Sequence, residues 1–191
     1  MTALVDAAKK DAEFPAEIVL VISNRPDVLG LGSASKRGIE ALAIDHKSYE
    51  TREAFEDELH KALSDRGIEL VVCAGFMRKL TATFTRKWEG AMINIHPSLL
   101  PKYKGLHTHQ RALDAGDKEH GCTVHYVTAE LDSGPIIMQA KVPVLDGDTA
   151  DDLAARILVE EHRIFPLSLA LAAKAIATKA TTTKVTATKA L

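Results

Sequence analysis

The chain has 191 residues, of which 46% are hydrophobic and 26% charged, with a formal net charge of -2 and a pI of about 6.4. These values are typical of one globular domain with a sizeable core. They exclude the basic surface of a nucleic-acid-binding protein, and no apolar run approaches the ~20 residues that cross a bilayer. The first residues lack the apolar segment of a signal peptide. We therefore expect neither a nucleic acid nor a membrane as partner.

Helix and strand signals alternate along the chain. Predicted helices are Thr2–Lys10, Val28–Arg37, Thr51–Asp65, Thr81–Trp88, His107–Ala115 and a long final helix that begins after Thr149. Predicted strands are Glu17–Ile22, Ala41–Ile44, Glu69–Ala74, Ala91–Ile95, Gly121–Thr128 and Ile136–Val142. This alternation predicts an α/β fold with a doubly wound, mainly parallel, Rossmann-like sheet.

Local signals set the ends of several of these helices. Thr51 is a candidate N-cap, and Thr149-x-x-Asp152 resembles a capping box with Asp in place of Glu. Pro166 is expected to kink or restart the final helix. Gly30–Ser35 looks like a phosphate loop, but it lacks the third glycine and the downstream acid of the dinucleotide motif. We interpret that stretch as a helix start.

The end of the chain differs in composition from the rest. Residues 175–191 repeat Ala, Thr and Lys with a five-residue period that matches neither helix nor strand. Large apolar groups are almost absent from this low-complexity tail, so we expect it to be disordered, with a weak extension of the final helix as the alternative, and place the domain at residues 1–174. The two cysteines, Cys73 and Cys122, lie in apolar runs and are expected to be buried free thiols.

An apolar run that ends in His96-Pro97 carries the strongest chemical signal. Asn94 and His96 are two residues apart, so on a strand their side chains share one face. Pro97 stops the strand because it has no N–H to donate, and α/β sheets bind ligands at the carboxyl ends of their strands. Asp132 lies in a later turn. An amide donor, an imidazole and a carboxylate that keeps the imidazole protonated favour acyl transfer through an oxyanion.

Other polar residues near these strands are weaker candidates. His125 and Thr123 share a strand face, and they either line the site or pack in the core. His107 and His109 stand at i and i+2 on a predicted helix start, where side chains do not face each other. They make a poor pair of metal ligands, and we expect no metal site.

Several longer motifs, in order along the chain, resemble the 10-formyltetrahydrofolate-dependent formyltransferases. The first of them is Asn94-x-His96-Pro97-Ser98-Leu99-Leu100-Pro101, followed by Lys104-Gly105 and Asp132. Within that group, Cys73–Arg78, Gly105–His109 and Leu131–Ile137 resemble the glycinamide ribonucleotide formyltransferase family of purine biosynthesis. The resemblance runs from about Met1 to about Ala173.

The resemblance implies a function and a set of site residues. The chain would be a cytoplasmic enzyme that transfers the formyl group of 10-formyltetrahydrofolate to the amine of glycinamide ribonucleotide, without a metal. Its oligomeric state stays open. The implied catalytic residues are Asn94, His96 and Asp132. The implied folate contacts are Arg52, Met77, Arg78, Lys79, Leu80, Asn94, Thr128, Ala129, Glu130, Leu131 and Asp132. The implied ribonucleotide contacts are Glu161 and Leu158, the latter at a position where the family often has a polar residue.

By the same resemblance, the family's first strand and its glycine-rich phosphate loop would precede Met1. Their absence would leave the strands at Glu17–Ile22 and Glu69–Ala74 each without that neighbour and would put activity in doubt. Two alternatives therefore stay open. One is another folate formyl enzyme, of the formyltetrahydrofolate hydrolase type, and the other is a non-catalytic remnant that keeps the folate pocket.

Overall fold

The computed structural model describes the backbone of residues 1–188 and the side chains of residues 1–178. The helices are α1 (Thr2–Lys10), α2 (Leu29–Lys36), α3 (Arg52–Ser64), α4 (Ala82–Lys87), α5 (Thr108–Asp114) and α6 (Ala150–Thr188), with a 3-10 turn at His46–Ser48. The strands are β1 (Leu20–Ser23), β2 (Glu40–Ala43), β3 (Val71–Cys73), β4 (Met92–His96), β5 (Glu119–Tyr126) and β6 (Ile136–Pro143). Every predicted element is present, with small shifts at its ends. Among the described residues, none of the helices combines the length and apolar character that a bilayer crossing requires.

The strands form two hydrogen-bonded groups. β1 pairs with β2 in parallel, and the second group has the order β3-β4-β5-β6. Within it, β3 and β4 are parallel, whereas β5 is antiparallel to both β4 and β6. The link from β5 to β6 is shorter than the dozen residues that a parallel crossover needs, so these two strands form a hairpin. Among the described strands, β1 and β3 each pair along one edge only, as the sequence predicted.

Helices cover both faces of the sheet, as expected for a doubly wound fold. On β3, Val72 packs with a core cluster formed mainly by β5, β6 and α6, which includes Leu153 and Ile164. Its neighbour Val71 packs with a cluster that contains Phe84 and Trp88 from the α4 region. Successive strand residues point to opposite faces, so the apolar run of β3 lies between two helical layers, where Val71, Val72 and Cys73 are each half-buried. The α/β prediction is confirmed.

Side-chain caps start the helices where the sequence placed them. The Thr51 hydroxyl accepts the Ala54 N–H at 3.1 Å and begins α3. The capping box of α6 is reciprocal, because the Thr149 N–H donates to the Asp152 carboxylate and the Asp152 N–H donates to the Thr149 hydroxyl. The stretch Gly30–Ser35 lies inside α2, as its interpretation as a helix start requires.

The final helix differs from the sequence expectation in two respects. α6 is one continuous helix through the buried Pro166, so no restart occurs there. It also extends to Thr188, where an irregular tail from Ala175 was expected. Residues 175–188 hold more threonine than alanine, so their own helix propensity is low, and the segment continues a helix that the preceding residues have already nucleated. Residues 189–191 of the predicted tail lie outside the described residues, as do the side chains beyond 178.

Candidate functional site

The carboxyl end of β4 brings together the residues that the sequence singled out. β4 and β5 are in register so that Asn94 lies opposite His125 and His96 lies opposite Thr123. His96, Thr123 and His125 are buried, and Asn94 is half-buried. The antiparallel register therefore assembles a polar row inside the sheet, next to the loop that joins β5 to β6.

His125 orients the Asn94 amide. The Nδ1 atom of His125 lies 2.9 Å from the Tyr126 carbonyl oxygen, so Nδ1 carries the hydrogen of a neutral ring and Nε2 is left as an acceptor. Nε2 lies 3.3 Å from Asn94 Nδ2, which donates one N–H to it. Burial lowers the pKa of His125, so its ring is neutral at pH 7, although the Tyr126 carbonyl and Asp132 raise that pKa in part. The second N–H of Asn94 remains for a ligand.

Two acceptors face the ring of His96. Its Nε2–H donates to the Tyr103 carbonyl oxygen at 2.9 Å, and its Nδ1 lies 3.5 Å from Asp132 Oδ2. Only the doubly protonated ring donates to both acceptors. The side chains of His96 and Asp132 are 7% and 9% exposed, so this contact is shielded from water.

Left-handed backbone conformations shape the loops around His96. Tyr103 has φ 55°, His107 has φ 57° and Asp132 has φ 48°, values that residues other than glycine rarely adopt. The Asp132 carboxylate accepts the Gly105 N–H at 2.8 Å, and its other oxygen lies 3.8 Å from His125 Nε2. The Asp132 turn is thereby held against the segment that follows Tyr103.

A cavity opens beside this cluster. It is lined by three sets of residues: Asn94 and His125 from the sheet, the segment after β3, and the loop after β5. The lining residues are Cys73, Phe76, Arg78, Lys79, Leu80, Thr85, Asn94, His125, Val127, Thr128, Ala129, Glu130, Leu131 and Asp132. Most of the side chains that the resemblance implied for the folate therefore surround one space. His96 itself does not line the cavity, whereas Asn94 and Asp132 do.

Two of the implied folate contacts lie elsewhere. Arg52 is the exposed first residue of α3, where the cap is made by the preceding Thr51. Met77 is 74% exposed and does not line the cavity, whereas its neighbour Arg78 does. The Arg78 guanidinium lies 6.0 Å from the centre of the Phe55 ring, at the edge of cation–π range.

A second cavity holds both residues implied for the ribonucleotide. It lies between the start of α1, the end of β3 and the middle of α6, and its lining includes Ala74, Gly75, Leu158, Glu161 and His162. Burial raises the pKa of the Glu161 carboxyl. Leu158 is 47% exposed and has no side-chain group that donates or accepts a hydrogen bond.

A group of aromatic and imidazole rings lies behind His96. Tyr103 and His120 meet edge to face at 5.9 Å between ring centres, and His120 meets His109 in the same way at 5.5 Å. His109 Nδ1 and His120 Nε2 are buried without a hydrogen-bond partner. Within the described part of the chain, no three His, Cys, Asp or Glu side chains are placed to hold a metal ion.

The sequence alone left open whether Thr123 and His125 line the site or pack in the core, and the structure gives each of them a place. His125 lines the cavity and contacts Asn94. Thr123 accepts the Leu100 N–H and donates to the Ser98 carbonyl, so it anchors the loop that follows β4. The contacts of His125 and Thr123 join parts of the chain that are far apart in sequence. They become predictable only when the β4–β5 register is known.

Comparison with known proteins places this chain among formyl transferases. The family model described as "Formyl transferase" matches residues 1–169. The chain is 45% identical to phosphoribosylglycinamide formyltransferase of Escherichia coli, over 89% of this chain and 80% of that protein. It is 50% identical to the trifunctional purine biosynthetic protein adenosine-3 of Drosophila melanogaster, over 90% of this chain but only 13% of that much longer protein. The solved structure of phosphoribosylglycinamide formyltransferase from Brucella melitensis superposes with a TM-score of 0.85 at 51% identity, covering 90% of this chain and 88% of that one.

Proposed function

Because the chain belongs to the formyl transferase family, we propose that it transfers the formyl group of 10-formyltetrahydrofolate to the amine of glycinamide ribonucleotide. The observation that carries the proposal is the convergence of Asn94, His96 and Asp132 beside a cavity at the end of β4. The names of the relatives of similar length supply the reaction, and the resemblance of the motifs supplies the formyl donor. A cytoplasmic location stays a prediction.

The proposed reaction forms and breaks one bond at the formyl carbon. The amine nitrogen of the ribonucleotide attacks this carbon, and its electron pair forms the new C–N bond while the carbonyl oxygen becomes an oxyanion. The free N–H of Asn94 donates to that oxyanion, and a protonated His96 adds a nearby positive charge. The oxyanion then collapses, the bond to N10 of the folate breaks, and N10 takes up a proton in place of the one that the amine loses.

Asp132 and His96 are placed to move that proton. Asp132 lines the cavity and faces His96 Nδ1 at 3.5 Å, so a proton from the attacking amine can pass to this pair and return to the leaving N10. The second acceptor of His96, the Tyr103 carbonyl, keeps the ring in place during the exchange. His125 keeps the Asn94 amide turned so that its donor, rather than its oxygen, faces the cavity.

The two substrates would occupy the two cavities. The first cavity has apolar walls, hydrogen-bonding groups and the Arg78 cation, which suits a pterin ring with a charged tail. The second cavity, with Glu161, would take the ribonucleotide. A carboxylate repels phosphate, so Glu161 is expected to accept a hydrogen bond from a sugar hydroxyl or an amide N–H of that substrate.

The proposal is tested by measuring formyl transfer with purified protein, the formyl donor and the ribonucleotide. We expect Asn94→Ala to lower kcat at least ~10²-fold, the usual cost of losing an oxyanion donor. Lys141→Ala is a matched control, since Lys141 only pairs with Glu119 on the surface. Release of formate without the ribonucleotide would indicate the hydrolase alternative. Folate binding without either reaction would indicate a non-catalytic protein.

A further inference from the structure

One lysine joins the two segments that hold His96. The Lys104 ammonium donates to the Ser133 hydroxyl and lies 3.4 Å from a Glu130 carboxylate oxygen. Lys104 stands between Tyr103, whose carbonyl accepts from His96, and Gly105, whose N–H donates to Asp132. The contacts of Lys104 therefore fasten the loop that carries Asp132 to the segment that carries the other acceptor of His96.

The Asp132 loop has few other attachments to this segment. Glu130 and Leu131 are exposed, and Asp132 has the left-handed φ of 48°. The contacts of Asp132 with His96 and His125 are long, at 3.5 Å and 3.8 Å. Hydrogen bonds from Ser133 and then Lys104 lower the pKa of the Glu130 carboxyl, which is consistent with a set of three linked side chains. Besides the Lys104 contacts, the Gly105 N–H donated to Asp132 at 2.8 Å is the main tie between this turn and the segment after Tyr103, so the placement of Asp132 depends on a small number of contacts.

The lysine itself is anchored at its backbone. The Arg111 guanidinium of α5 donates to the Lys104 carbonyl oxygen at 2.7 Å and lies 5.2 Å from the centre of the Tyr103 ring. The side chains of Lys104 and Glu130 are 37% and 77% exposed, so water screens their pairing and it contributes little to folding. Stabilisation of the fold therefore does not account for the Lys104–Glu130 contact.

We propose that Lys104 is a positioning residue, which fastens the Glu130–Ser133 turn and so sets the contact between Asp132 and His96. This inference rests on the proposed formyl transfer for its effect on rate, whereas the placement of the turn is a property of the folded chain. Lys104 does not contact the cavity that would hold the folate. Its loss misplaces the whole turn: the carboxylate of Asp132 that exchanges the proton, and with it Glu130 and Leu131, which line the first cavity.

The test compares Lys104→Met with Lys102→Met, a matched change in the same loop. Lys102 is more exposed, at 62%, and pairs with Asp117 rather than with the Asp132 turn. We expect Lys104→Met to lower kcat about tenfold, less than the ~10²-fold that a 1 Å misplacement can cost. The KM of the ribonucleotide should change little, whereas the KM of the folate should rise, because Glu130 and Leu131 of the same turn line the first cavity. Lys102→Met should retain kcat, and Lys104→Arg should restore most of the loss.

A double variant identifies the partner of Lys104. Ser133→Ala should lower kcat by a similar factor, and Lys104→Met combined with Ser133→Ala should cost no more than either change alone, because both remove the same contact. An unchanged kcat in Lys104→Met, an equal loss in Lys102→Met, or multiplied losses in the double variant would each overturn the proposal.

Hydrogen exchange separates this proposal from the proposed function. The Gly105 amide donates to Asp132 at 2.8 Å, so we expect it to exchange faster in Lys104→Met than in the parent chain or in Lys102→Met. This readout needs no activity. If the parent protein fails to transfer formyl groups but Gly105 exchange still responds to Lys104, the proposed function fails and the positioning role stands. Unchanged exchange at Gly105 overturns the positioning role in either case.

Discussion

Lowering the pH should destabilise the fold through the buried His120. This residue is 1% exposed, and burial lowers the pKa of its ring to about 4, with His109 lowering it further and Asp117 raising it in part. The neutral ring is therefore preferred in the folded protein, whereas the unfolded chain binds a proton near the ordinary value of 6.5. Stability from this group is fully present above pH 6.5 and is lost as the pH falls toward 4.

The size of the effect follows from these two values. Linkage between a pKa of 6.5 in the unfolded chain and about 4 in the folded one gives a loss of about 2 kcal/mol between pH 7.5 and pH 5. Burial also lowers the pKa of His109 and His125, so their contributions have the same sign. The total loss is a sizeable part of a domain stability of about 5–15 kcal/mol.

Urea unfolding at pH 7.5 and pH 5 measures this loss in the parent chain and in His120→Leu. The leucine variant cannot titrate at this position, so we expect its loss of free energy of unfolding to be smaller by about 1–2 kcal/mol. His162→Leu removes an exposed histidine and serves as the control. The reasoning would be refuted if His120→Leu and the parent chain lost the same free energy between the two pH values.

Three further predictions concern single side chains. Asp132→Asn should lower kcat about ten- to a hundredfold, because the neutral amide no longer exchanges a proton with the imidazole of His96 3.5 Å away. The melting temperature should stay unchanged, since asparagine tolerates the left-handed φ of 48°, and a large fall in it would contradict this reasoning. Glu161→Gln should raise KM for the ribonucleotide about tenfold at nearly constant kcat, the cost of one hydrogen bond to a charged group; unchanged steady-state KM would remove Glu161 from that site. Gly134→Ala should destabilise the fold by about 2–3 kcal/mol in urea unfolding, because its Cβ would lie 1.8 Å from the Tyr126 carbonyl oxygen, whereas Gly30→Ala, in an open helical position, should be neutral or stabilising.

The sequence predicted those features whose physics is local. Thr51 begins a helix because its hydroxyl is one turn from the amide that it accepts, and the Thr149 capping box works in the same way. Asn94 and His96 share a strand face because the strand period is two residues. The uninterrupted apolar centre of β3 predicted a buried strand; the strand does pack against a cluster on each side, but its residues are half-buried rather than buried.

Features that depend on long-range geometry were not predictable from one sequence. The role of His125 requires the β4–β5 register, which places it opposite Asn94 across the sheet. The hydrogen bond from His96 to the Tyr103 carbonyl occurs where Tyr103 has a left-handed backbone conformation. Tyrosine rarely adopts that conformation, so the residue type did not predict it. The motif also implied a folate contact for Met77, and a motif does not reveal that this side chain is 74% exposed and outside the cavity lining.

The three left-handed residues around His96 identify where this protein could gain heat resistance and what it would lose. Each of Tyr103, His107 and Asp132 holds a backbone conformation that costs on the order of 1 kcal/mol in an L-residue and nothing in glycine. Glycine would relieve this strain but would lose more conformational entropy on folding, together with contacts such as that of the Tyr103 hydroxyl with Asp117, so selection for thermostability would favour glycine only where the strain outweighs both. Tyr103→Gly would relax the turn but release the carbonyl that His96 contacts, because glycine explores many other conformations. The strained loops of this site thus lower the thermal stability of the fold, and variants selected for thermal stability should also be assayed for kcat.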